Sequence, residues 1–289
     1  MTNRTEEDRN VSTHLRDVLM QRLDELRYEP TEKRIRGTLG DETVVDSTRA
    51  LLVWEPKRVV PTYAVPAEDI AADIADASPG DPGERPPGIP AMGAPMLGDR
   101  AVYDPSIPFS VHTADGEALR IRARGSDRSA DAFRPRDDAL AGFVVLDFDA
   151  FDAWYEEDER NYGHPRDPFH RIDIVRSSRH VRVELDGETL ADSDRPRLLF
   201  EPPLPVRYYL PPADVRLDLL RPSETRTFCA YKGQASYWSS KDGDEVAWSY
   251  PEPLREASEV TDHVAFFNER VTVVVDGVVL ERPVTPWSS

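Results

Sequence analysis

Along the second half of the chain, apolar and polar residues trade places at nearly every step, the two-residue period of a strand with one buried face. His180-Val-Arg-Val-Glu-Leu185, then Asp186-Gly187, then Glu-Thr-Leu190 alternates in this way, and Val271–Val275, Asp276-Gly277 and Val278–Leu280 repeat the pattern. An Asp-Gly pair between alternating runs is the signal of a two-residue hairpin. Leu198–Phe200, Val206–Leu210, Thr227–Tyr231, Ala235–Trp238 and Glu245–Tyr250 read as further short strands. Many short strands with little helix predict a mainly β protein, a small antiparallel sheet, sandwich or barrel in each unit. Helical spacing marks Leu15, Val18, Leu19, Leu23 and Leu26, with Ser12 and Thr13 as caps, and predicts an amphipathic helix over Thr13–Arg27.

The chain also resembles itself. Arg34–Ala67 lies without a gap on His180–Ala213, a shift of 146 residues, and fourteen of the 34 positions are identical. About two would match by chance at ordinary composition. The identities include Asp46/Asp192, Ser47/Ser193, Arg49/Arg195, Glu55/Glu201, Tyr63/Tyr209 and Pro66/Pro212. Weaker echoes set Ala153-Trp154 against Ala247-Trp248, and His164…Phe169…Arg171-Ile172 against His263…Phe267…Arg270-Val271. The expected organisation is an extension over 1–30, a first domain over 31–175 and a second over 176–289. Tyr63 to Trp154 is 91 residues, whereas Tyr209 to Trp248 is 39, which places 52 extra residues in the first domain, mostly in an insertion near 71–108. Ser78–Phe109 holds eight prolines and five glycines, a composition that forms neither helix nor central strand and reads as a surface loop.

At 289 residues there is room for two ordinary domains, and 39% hydrophobic with 31% charged residues fits modest cores. The formal charge of −18 opposes binding to nucleic acid or an anionic membrane surface, so the expected partner is a small molecule or a peptide. No apolar run approaches 18 residues and the polar start lacks a signal-peptide core, which points to the cytoplasm. With Cys229 as its one cysteine, the chain forms no internal disulfide and no Cys-x-x-Cys zinc site. It has no Gly-rich phosphate loop, dinucleotide fingerprint, Gly-x-Ser-x-Gly elbow or His-Glu-x-x-His, so no cofactor is expected.

Arg179-His-Val-Arg-Val-Glu-Leu-Asp-Gly-Glu-Thr-Leu-Ala-Asp-Ser193, Leu198-Leu-Phe-Glu201, Tyr208-Tyr-Leu-Pro-Pro212, Cys229-Ala-Tyr-Lys-Gly-Gln-Ala-Ser-Tyr237 and Val246-Ala-Trp-Ser-Tyr250 resemble the bacterial domain-of-unknown-function family 427, in a tandem arrangement. The resemblance implies a β-tent fold, two antiparallel sheets meeting at an angle. That fold is shared with the thalidomide-binding domain of cereblon and with methionine sulfoxide reductase B. Some of those relatives hold a structural zinc that a single cysteine cannot bind. The nucleotidyltransferase-like label attached to the family implies no particular chemistry here. The first copy departs from the pattern, with Ser110-Val-His112-Thr-Ala-Asp-Gly116 opposite Cys229–Gly233.

Several groups are candidates for a site. The pairs Arg49/Glu55 and Arg195/Glu201 fit a ligand clamp, or equally a staple in which arginine and glutamate hold each other. Tyr208, Tyr209, Tyr237, Trp238, Trp248 and Tyr250 fit an aromatic pocket or a core, with Tyr63 and Trp154 as first-copy counterparts. Cys229 and Lys232, three apart, fit either a reactive thiolate or a buried apolar cysteine. Asp147-Phe-Asp149 has the spacing of a metal-dependent transferase, against the bland reading of an acidic solvated face. His164 and His170 flank Asp167 in a Pro-rich loop with no third metal ligand in register. The preferred expectation is a non-catalytic binding module, with Arg195, Glu201, Tyr209, Lys232, Tyr237 and Trp248 lining an aromatic pocket of the second domain. The alternatives are a metal- or thiol-dependent enzyme, and an assembly module acting through the N-terminal helix and the insertion.

Overall fold

The computed structural model describes residues 12, 18, 21–77, 89–90, 101–202, 204–285 and 288. Its first copy comprises β1 (Arg27–Pro30), β2 (Ile35–Leu39), β3 (Glu42–Ser47), β4 (Leu51–Trp54), β5 (Thr62–Pro66), β6 (Asp73–Asp76), β7 (Ile89–Pro90), β8 (Ala101–Val102), β9 (Gly116–Arg122), β10 (Ser129–Pro135), β11 (Phe143–Leu146), β12 (Ala153–Glu156) and β13 (Glu159–Asn161). The second comprises β14 (Asp173–Arg176), β15 (Val181–Leu185), β16 (Glu188–Ser193), β17 (Arg197–Phe200), β18 (Arg207–Leu210), β19 (Arg221–Cys229), β20 (Gly233–Ser239), β21 (Glu245–Ser249), β22 (Val264–Phe266), β23 (Thr272–Val275) and β24 (Val278–Val279). The protein is mainly β and its sheets are antiparallel. Each copy has a seven-stranded sheet, ordered β1-β4-β5-β11-β10-β9-β6 or β14-β17-β18-β22-β21-β20-β19, and a four-stranded one, ordered β13-β12-β2-β3 or β24-β23-β15-β16. The two orders correspond strand for strand.

Each pair of sheets shares a core. In the first copy, Ile35, Val44 and Trp154 of the small sheet meet Leu52, Tyr63, Leu119 and Leu146 of the large one, and Val181, Leu190 and Val273 meet Leu198, Tyr208 and Phe266 in the second. The large sheets are also covered on their other face, by clusters around Phe133 and Val145 or around Tyr209 and Trp248. Burial on both faces explains why Leu51-Leu-Val-Trp54 is apolar without alternation. Both Asp-Gly pairs form the expected turns, with Asp186 at φ 50° and Gly187 at 84°, and Asp276 at 52° and Gly277 at 83°.

Strand register corrects the self-alignment. Leu52 faces Tyr63, whereas Leu198 faces Tyr208. The counterpart of Tyr63 is therefore Tyr208, and that of Tyr209 is Ala64: one residue is missing between β17 and β18, and the shift becomes 145. Asp69/Asp214 and Ile70/Val215 then fall into place, each Asp holding the serine two residues before the duplicated arginine, and Ile70 and Val215 bridging Val45 and Ala191. Trp154 is likewise matched to Val273 of β23 and not to Trp248, whose counterpart on β10 is Phe133. Val65 and Val144 are 79 positions apart and their counterparts Leu210 and Val264 are 54 apart, so the first copy has a net gain of 25 residues and not 52.

The expected helix over Thr13–Arg27 falls largely outside the described residues. Gln21 is helical, Arg22–Asp24 form a turn, and Arg27 already belongs to β1. Much of the Pro/Gly-rich segment also lies outside them. The part described includes the short β7–β8 ribbon and a bridge from Tyr103 to Arg58. Among the described residues no helix is long and apolar enough to cross a membrane.

Cross-strand volume differs between the copies in a compensated way. Gly37 faces Trp154, and a Cβ on Gly37 would stand 2.7 Å from the indole ring, whereas the same pair in the second copy is Val183 and Val273. Gly37→Val should therefore destabilise by about 1–3 kcal/mol through overpacking, and Trp154→Val by about 3–5 through a cavity. The double variant recreates the second copy's pairing and should cost clearly less than the sum, a coupling that urea denaturation of the four proteins measures.

Candidate functional site

The second copy brings several of the candidate residues together at one end of its large sheet. Glu201 follows β17 directly and is 8% exposed. A buried carboxylate needs a cation or several donors. Lys232, itself buried, supplies the cation with Nζ 2.5 Å from Oε2, and His170 Nε2 lies 3.4 Å from Oε1. Burial pushes the Glu201 carboxyl up, but Lys232 and His170 outweigh it and hold the group at about 2. Burial works against the Lys232 ammonium too, and Glu201 again prevails, raising its pKa. Lys232 reaches this position from the turn between β19 and β20, where Cys229 pairs with Gly233. Gly233 has φ +96°, and a Cβ there would lie 3.2 Å from the Leu254 amide, so the turn requires glycine.

The first copy keeps the carboxylate and changes its partners. Glu55 accepts from Thr113 N at 2.7 Å and Ala114 N at 3.0 Å, and His112 Nδ1 lies 3.0 Å away. Burial raises the Glu55 carboxyl, but His112 and the two amides bring it below its ordinary value. The His112 ring stacks on Phe133 at 3.9 Å. Arg58, which the sequence reading passed over, orders this loop by donating to the carbonyls of Ile107, Pro108 and Val111. The expected departure of the first copy is thus real at Cys229 and Lys232, while the buried carboxylate and its clamp persist.

Around Lys232 the second copy adds hydroxyls that the first lacks. Tyr209 and Tyr237 stand where the first copy has Ala64 and Ala118. The Tyr209 hydroxyl accepts from Trp248 Nε1 at 3.0 Å, and the Tyr237 hydroxyl shares a hydrogen bond with Thr227 at 2.6 Å. The Tyr250 ring lies 6.5 Å from that of Tyr209, is 5% exposed, and its hydroxyl has no hydrogen-bond partner among the described residues. Cys229, half-buried, is within electrostatic reach of Lys232, Tyr209, Tyr231, Tyr237 and Tyr250. Burial raises all four phenols above their ordinary value.

Other candidates lie elsewhere. Arg49 and Arg195 neither clamp a shared ligand position with the glutamates nor pair with them. They bind Asp69 and Asp214 on the following 3₁₀ turns, and the Arg195 guanidinium holds the Asp214 carboxyl below its ordinary value. Tyr208 is in the core between the sheets. Tyr63 donates to Glu156 at 2.8 Å and accepts from Asn161, and Trp154 packs in the same core and donates to the Phe148 carbonyl. Histidines 164 and 170 serve the junction between copies: both rings lie against Tyr231, whose hydroxyl accepts from Asp167 N at 2.9 Å. Asp147 caps a short turn by accepting from Asp149 N. Among the described residues no group of three or more His, Cys, Asp or Glu side chains is placed to hold a metal ion.

Two predictions follow from these charges. The Glu201 contribution to stability is complete above its ordinary pKa near 4.5 and is lost as pH falls toward about 2. Glu201→Gln should lower stability at pH 7 by about 3–5 kcal/mol by stranding Lys232, while Glu201→Gln with Lys232→Met should cost less, as chemical denaturation would report. Asp147 behaves oppositely, since burial raises its carboxyl to about 6 and folding weakens as pH rises from about 4 through that value. Asp147→Asn keeps the cap, so its melting temperature should match the parent near pH 4 and exceed it above pH 6 in calorimetric scans.

No curated protein matches the chain. Residues 173–277, from β14 through β23, match the model of the family described as Domain of unknown function (DUF427), labelled NTP_transf_9.

Proposed function

We propose that the second copy is a non-catalytic binding module for a small polar molecule or peptide group, taken among Tyr209, Cys229, Lys232, Tyr237 and Tyr250. The observation that carries this reading is Lys232, a buried ammonium with three donors whose side chain makes one hydrogen bond among the described residues, to Glu201. The Tyr250 hydroxyl adds to it, having no partner among the described residues and lying within electrostatic reach of the Cys229 thiol and the Tyr209 and Tyr237 phenols.

The charge at the site is balanced, since Glu201 neutralises Lys232. The ligand expected is therefore a neutral group with hydrogen-bonding oxygens, such as an amide, an imide or a ring carbonyl, and not a free ion. Access runs through the rim made by Thr227, Cys229 and Tyr237, which are the more exposed members of the cluster. The aromatics behind it, Trp248 and Phe267, pack with ring centroids 4.6 Å apart and form the wall.

The test is thermal-shift screening of the whole protein against cyclic imides, nucleotides and modified peptides. Tyr250→Phe should leave stability within about 0.5 kcal/mol, because no bond is lost, yet weaken a hit about tenfold. Tyr208→Phe, on the opposite face of β18, should leave that hit unchanged. Absence of stabilisation across the library, or a hit indifferent to Tyr250→Phe and to Lys232→Met, would overturn the reading.

A further inference from the structure

A cleft of about 280 Å³ opens where the two copies meet, between the segment from Glu159 to Arg166 and the turn at Leu254–Glu256. That volume is close to the lower end of the range of small-molecule sites, about 300 Å³. It adjoins the tyrosine cluster, since Leu254 N donates to the Lys232 carbonyl at 3.0 Å, and both copies contribute to its walls.

Its electrostatics run against those of the chain. Three arginines and two glutamates line it, a net positive spot on a protein of charge −18. Both glutamates are already engaged. Glu256 receives Arg171 and lies 3.8 Å from Arg166, and Glu159 has Arg166 at 3.4 Å and Arg255 at 3.5 Å. Two of the arginines are not used up. Arg255 is 77% exposed and makes that one contact among the described residues. Arg160 lies over the Tyr162 ring at 5.0 Å and donates to the Asp152 carbonyl at 3.2 Å. Arg166, 10% exposed, is held among Glu156, Glu159 and Glu256, and its Nε–H is buried without a hydrogen-bond partner among the described residues. A guanidinium has five donors in a planar fork that matches a carboxylate or phosphate. Tyr162 and Leu254 supply the apolar part of the lining.

We propose that this cleft is a second binding site, one that takes a small molecule by a carboxylate or phosphate group held between Arg160 and Arg255. The anion would complete donors that the fold leaves open, and it would tie the copies together, since the arginines come from opposite walls.

The experiment is calorimetric titration of the full chain with inorganic phosphate, with pyrophosphate and with benzoate, each against chloride of matched ionic strength. Saturable binding of at least one probe is expected, and which probe binds separates the phosphate from the carboxylate source. Arg160→Ala and Arg255→Ala, both at exposed positions, should each weaken it about tenfold or more. Leu254→Trp should abolish it by filling the cleft, and Tyr250→Phe should not change it. No saturable binding above chloride, or binding that survives both arginine variants and Leu254→Trp, would overturn the proposal.

Discussion

A carboxylate taken out of water at the end of β4 or β17 costs several kcal/mol unless a cation or a set of N–H groups comes to it. In each copy the chain is arranged so that something does. The first copy bends residues 107–114 under Arg58 until His112 and two backbone amides face Glu55. The second turns tightly at Gly233 so that Lys232 points at Glu201, and brings His170 across from the segment that joins the copies. One buried charge in each copy thereby fixes the loop ahead of the β9 or β20 strand, and in the second copy it fixes the junction too.

The rest of the second copy's chemistry is laid on that clamp. Once Lys232 is anchored, hydroxyls gather around it at positions where the first copy has alanine. The first copy keeps the clamp and fills the surroundings with Phe133 and small residues. The copies have thus diverged at these positions, and both contribute arginines to the cleft between them.

Much of the fold was legible in the sequence because its signals are local. Alternation gave the strands, Asp-Gly gave the turns, and the identities at Asp46/Asp192 and Ser47/Ser193 exposed the repeat. The exact register was hidden by two doublets. Tyr208-Tyr209 and Pro211-Pro212 let Tyr63 and Pro66 match at either of two shifts, and only hydrogen-bond pairing distinguishes them. Of the candidate residues, Glu201, Tyr209, Cys229, Lys232, Tyr237 and Trp248 lie near one another at one end of the large sheet. Arg195 does not, because its partner Asp214 sits nineteen residues on, at a distance no local pattern reports. Tyr231 and Arg58 gave no local signal either, since Arg58 acts through backbone carbonyls and Tyr231 through residues of the other copy.

Gly37 against Trp154 and Val183 against Val273 have a consequence for how the chain assembles. Two domains that share strand sequences offer each other the wrong partners during folding, a recognised route to interdomain misassembly. Here the hybrids are poor. β15 laid on β12 sets Val183 against an indole that leaves no room for it, and β2 laid on β23 sets a bare glycine against a valine and leaves a void. The duplicated hairpins are keyed differently, so each copy recognises its own closing strand even though the opening strands remain close relatives.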